Sequence, residues 1–145
     1  MNSPKGLRLA TLLLATGVLA SCVGSTGTPA DLPPNPPGCE GLVQEYREHP
    51  GLAVDVRPEP RGYVIGPNRG YENRRVEIKL TVDEFGNPIP GTVQVSGARS
   101  ASDEKSLQEE TLKWRFAPAR VGECRVPAVF EYTISGRQVT ISSSL

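Results

Sequence analysis

The chain has 145 residues, about the size of one domain. Sixteen Lys and Arg balance sixteen Asp and Glu; Lys5 and Arg8 lie in an N-terminal segment that reads as removable, leaving 14 against 16. Near-neutrality gives no global reason to expect nucleic-acid binding. With 14 Pro and 15 Gly beside three Phe and one Trp, the core is modest and the loops extensive, which excludes a large multilayer enzyme.

Met1 to Arg8 carries two positive charges, Leu9 to Leu19 is an apolar run of eleven residues, and Ala20 and Ser21 precede Cys22. This is the anatomy of an export signal, residues 1–21. A spanning helix needs about 20 apolar residues, and the run stops short of that. Leu19-Ala20-Ser21-Cys22 resembles the bacterial lipobox. The resemblance implies cleavage before Cys22 and a diacylglyceryl group on its sulfur, hence a membrane-anchored lipoprotein facing the periplasm. Val23 rather than Asp follows Cys22, which under the common Gram-negative sorting rule favours the outer over the inner membrane.

Residues 22–38 are rich in Pro, Gly and Ser and read as a flexible linker. The sixteen residues from Val23 to Gly38, in polyproline-like extension, would span about 50 Å. With Cys22 lipidated, Cys39 and Cys124 form an even pair in an oxidising compartment, so a disulfide is the natural reading and two separate thiols the alternative. Glu40 to Glu48 reads as a short helix stopped by Pro50-Gly51, and Leu52 to Val56 as a short strand. His49, the single histidine, lies four residues after Glu45, too few ligands for a metal site. No cofactor motif is present.

Arg57, Arg61, Arg69, Arg74 and Arg75 are interleaved with Tyr63 and Tyr71 in a Gly- and Pro-rich stretch. The plain reading is a solvated loop whose tyrosines fold onto the domain; the alternative is a contact for lipid phosphate or cell-wall polymer. Val76, Ile78, Leu80 and Val82 alternate with polar residues, the period of a half-buried strand. Asp83 to Pro88 supplies turn chemistry and Thr92 to Ser96 resumes alternation, predicting an antiparallel hairpin. Ser102 is the expected N-cap of a helix carrying Leu107, Thr111 and Trp114, with Lys113 and Arg115 at its end. Val126, Ala128, Phe130, Tyr132 and Ile134 share one side of a long strand, and Gly136-Arg137 turns it into a last strand, Gln138 to Ser142.

Strand, Gly86 turn, strand, helix and then Trp114-Arg115-Phe116-Ala117-Pro118-Ala119 give residues 75–135 a resemblance to the TonB C-terminal domain. It implies an α+β fold for residues 39–145: a small antiparallel sheet of three to four strands with one or two packed helices. It makes Gly86, Trp114, Phe116, Pro118 and Ala119 structural. It also implies a binding module for an envelope protein, such as an outer-membrane transporter or receptor peptide gripped by strand addition. The strand bearing Val126, Ala128, Phe130, Tyr132 and Ile134 is the expected partner-binding edge. If residues 138–142 pair back onto it, the chain's own tail occupies that edge.

The leading function is therefore a non-enzymatic, lipid-anchored protein-binding unit. The alternative is an energy transducer of the TonB class supporting transport through outer-membrane receptors. No catalytic residue can be nominated, because a Ser or Cys nucleophile needs a nearby base and the carboxylates are scattered over wet faces.

Overall fold

The computed structural model describes residues 32–62, 64–65, 70–71, 73–136 and 138–142. The export signal, Cys22 and residues 22–31 of the linker lie outside them, as do Tyr63 and Arg69. The domain is α+β, with two helices and antiparallel sheets of two to four strands among the described residues.

Order begins before the disulfide. The Asn35 side chain donates to Arg125 O (2.9 Å) and accepts from Arg125 N (3.0 Å), copying a strand's hydrogen bonds, while Arg125 also donates to Pro33 O. The expected flexible linker is thus docked over residues 33–38, because Asn35 supplies the polar pairing that its prolines lack. Helix α1 spans Glu40–Glu48, with Val43 and Tyr46 buried. Its N-cap is Cys39, which makes no side-chain cap bond. The Tyr46 hydroxyl donates to Ala53 O.

The expected strand at Leu52–Val56 does not form. Only Val56 bridges Arg120. Asp55 N and Val56 N both donate to Arg120 O, and Asp55 Oδ2 accepts from Gly122 N (2.6 Å), so the segment crosses its neighbour instead of running along it. Strand β1 (Glu59–Pro60) pairs later in the chain with residues 116–117.

Strand β2 (Arg75–Val82) buries Val76, Ile78, Leu80 and Val82 as its alternation requires. In the following turn Asp83 Oδ1 accepts from Phe85 N and Asn87 N. Strand β3 (Gln94–Ser96) starts two residues later than expected. Thr92 meets β2 through its side chain, Oγ1 accepting from Thr81 N, so regular backbone pairing is postponed.

Helix α2 spans Ala101–Thr111, and its cap is Ser100, not Ser102. Ser100 is extended and its Oγ accepts from Asp103 N. The helix ends before Trp114: the amides of Lys113 and Trp114 turn back to Glu110 O and Thr111 O. Strands β4 (Phe116–Ala117), β5 (Ala119–Val121), β6 (Cys124–Val126), β7 (Ala128–Ser135) and β8 (Gln138–Ser142) follow. The expected single strand from Val126 to Ile134 is broken by buried Pro127, which has no N–H to donate.

The main sheet has the order β3-β2-β7-β8. Its buried face, with Leu107, Trp114, Phe116, Ile65 and Tyr71, forms the principal core. A smaller core joins Tyr46 of α1 to Ala119, Val126 and Ala128. Each fully buried large side chain contributes roughly 1.5–3 kcal/mol.

Candidate functional site

Cys39 and Cys124 form a disulfide, with α-carbons 5.6 Å apart and a sequence separation of 85. It staples the start of α1 to β6, beside the Asn35–Arg125 clamp.

Of Gly86, Trp114, Phe116, Pro118 and Ala119, the structure brings the first three together. Gly86 O accepts from Phe116 N (2.9 Å), joining the β2–β3 turn to β4. The Phe116 ring packs on Phe130 (4.8 Å) and lies 6.3 Å from Trp114, which meets Tyr132 edge-on at 5.4 Å. Pro118 is buried between β4 and β5, and Ala119 is buried opposite Val126. All five are framework residues.

The expected partner-binding edge requires correction. Ala128, Phe130, Tyr132 and Ile134 lie on β7, an interior strand paired with β2 on one side and β8 on the other, and Val126 belongs to the β5–β6 ribbon. All five side chains are buried. The Gly136 turn folds the tail back, so β7's second row of backbone groups is satisfied by residues 138–142.

The outer edges of the sheet are β3, of three residues, and β8, of five. Ile141 opposes Tyr132 and Val139 opposes Ile134, which places both on the core-side face. They nevertheless remain 52% and 39% exposed. Gln-Val-Thr-Ile-Ser carries no charge and no proline, the devices by which edge strands are ordinarily blunted. That uncharged composition was the available sequence signal.

The described residues of the basic stretch have different surroundings. Tyr71 is buried, its hydroxyl bonded to Asp103 Oδ1 (3.0 Å), and the Arg99 guanidinium lies 5.1 Å above its ring. Arg75 pairs with Glu77 on the wet face of the sheet, whereas Arg61 lines a cleft at the end of α2. Arg57 and Arg74 are exposed. His49 N bonds Glu45 O, closing α1. No group of His, Cys, Asp or Glu able to hold a metal ion occurs among the described residues. Among them, no helix is long and apolar enough to cross a membrane.

The Arg99 guanidinium, and then its backbone N–H, hold the Asp103 carboxyl well below the usual carboxylate range. Burial and the bond to Asp103 push the Tyr71 phenol up. A depressed carboxyl contributes stability that is present above its unfolded pKa, about 4, and is lost as pH falls toward the folded value. Thermal midpoints measured between about pH 6 and about pH 3 should therefore fall more steeply for the natural chain than for Asp103→Asn. Equal slopes would remove Asp103 as the acid-sensitive tie between the 71 region and α2.

Comparison of the chain with models of known protein families, with characterised proteins and with solved structures finds no match in any of the three.

Proposed function

We propose that this chain is a non-enzymatic lipoprotein, anchored through Cys22 at the periplasmic face of the envelope, whose TonB C-terminal-like module binds an extended segment of another envelope protein by strand addition to the outer edge of β8. The observation that carries this reading is the unguarded edge. Five uncharged residues form an outer strand with no further strand beside it among the described residues, and Val139 and Ile141 extend the apolar face beyond what those residues cover. An added strand would pair with the outer backbone groups of β8 and shield both side chains. Addition here needs no departure of the tail.

The anchored reading is helped by the docked linker. Ten residues separate Cys22 from Pro33, a reach of about 35 Å at full extension, which suits a local tether.

The test uses mature protein from the membrane fraction, whose intact mass reports a start at Cys22 and its acyl chains. Binding of extended peptides alternating apolar and polar residues is then compared with Val139→Lys/Ile141→Lys, which puts two charges on the edge while keeping β8. The expected result is a loss of about tenfold or more in affinity. Deletion of residues 137–145 should also reduce binding. A gain on deletion would mean that β7 is the gripping strand and β8 merely its occupant, overturning addition to β8.

A further inference from the structure

A second feature is independent of the sheet edge. The β1–β4 register, with Glu59 opposite Ala117 and Pro60 opposite Phe116, continues into a bond from Arg61 N to Arg115 O (2.6 Å). Arg61 and Arg115 therefore stand directly across from each other. Like charges so placed are destabilising, and a local arrangement that works against folding is a mark of a functional site. Lys113, at the end of α2, brings a third cation to the same cleft of about 570 Å³, a volume typical of small-ligand sites.

Glu109 and Glu110 also line the cleft, yet neither Arg61, Lys113 nor Arg115 has an ion-pair partner among the described residues. Arg115 uses part of its guanidinium on the carbonyl oxygens of Leu112 and Trp114, which holds its head at the helix end. Arg61 and Lys113 are exposed. Trp114 forms the wall; it is only 3% exposed, and its Nε1 has no acceptor among the described residues.

We infer that this cleft is an oxyanion site for a phosphate group carried on a polar molecule. Two guanidinium groups and an ammonium offer more donors than the two oxygens of a carboxylate can accept, whereas a phosphate monoester uses three oxygens and carries nearly two charges. The neighbouring carboxylate of Glu109 suits a hydroxyl or amino donor on the rest of the ligand. The phosphate can belong to a soluble ester or to a lipid headgroup, and the two sources separate experimentally.

Trp114 is the chain's single tryptophan, so its fluorescence reads this cleft directly. The full mature chain is titrated at constant ionic strength with inorganic phosphate, and separately with phosphatidylcholine vesicles with and without phosphatidic acid. A saturable change with half-saturation near about 1 mM phosphate is expected for two to three charge-assisted bonds. Arg61→Gln/Lys113→Gln should weaken it about tenfold or more. Arg74→Gln/Lys105→Gln, which removes the same charge from exposed positions outside the cleft, should leave it unchanged. A response to free phosphate identifies a soluble ester; one confined to phosphatidic acid vesicles identifies a headgroup. No saturable response to either, or equal loss in both double variants, overturns the site. Matching melting curves establish that the variants are folded.

Discussion

Removing the Cys39–Cys124 disulfide, by reduction or by Cys39→Ala/Cys124→Ala, is expected to lower stability by about 4 kcal/mol. The bridge closes a loop between residues 85 apart, so opening it returns much conformational freedom to the unfolded chain. Against a typical domain stability of about 5–15 kcal/mol, this is a large share. The loss should also be uneven. Helix α1 is tied to the body by the disulfide at its cap and by the small cluster of Tyr46, Ala119, Val126 and Ala128. The sheet pairs β2 with β7 over eight residues and owes nothing directly to the bridge. Urea unfolding of the oxidised and variant proteins measures the total, and amide exchange locates it. Residues 40–48 should exchange faster while β2 and β7 remain protected. A total below about 1 kcal/mol would show that the docked segment and small core hold α1 without the bond.

Gly86→Ala should cost about 3 kcal/mol or more. Gly86 sits at φ 85°, a left-handed conformation that side chains rarely adopt. A Cβ there would lie 2.1 Å from the Phe116 carbonyl oxygen, a backbone atom with no side-chain freedom to retreat. Relief requires the turn to move away from β4, breaking the bond from Phe116 N to Gly86 O and loosening the packing of Phe116 on Phe130. Gly91→Ala is the informative comparison. It shares φ 85°, but a Cβ there meets nothing within 4 Å, so it should cost only the strain of about 1–2 kcal/mol. Equal effects in chemical denaturation would show that conformation alone, and not the approach of β4, makes glycine necessary at 86.

Much of the fold is legible in local patterns because those patterns are themselves the physical cause. The α1 boundaries follow from its apolar spacing and from Pro50, and β2 from alternation that puts Val76, Ile78, Leu80 and Val82 on one face. The errors arise where distant partners decide. Trp114 continues the helical spacing of Leu107 and Thr111, yet the aromatic cluster with Phe116 and Tyr132 takes it out of the helix. Ser100 prevails over Ser102 as cap where Asp103, bonded to Arg99 and Tyr71, sits in the first turn.

The candidate site is less legible for the same reason. Alternation marks Phe130, Tyr132 and Ile134 as strand residues, but interior and edge strands differ only in what lies beside them. The tail's return over β7 makes the expected edge an interior strand and transfers the open edge to Val139 and Ile141. The opposition of Arg61 and Arg115 depends on a register between segments far apart in the chain, which no local spacing encodes.

Amide hydrogen exchange of residues 138–142, with and without a bound extended peptide, tests strand addition at β8 most directly. Slower exchange along β8, with β3 unchanged, is the predicted result. Faster exchange of β8, showing a displaced tail, or protection confined to β3, would contradict it.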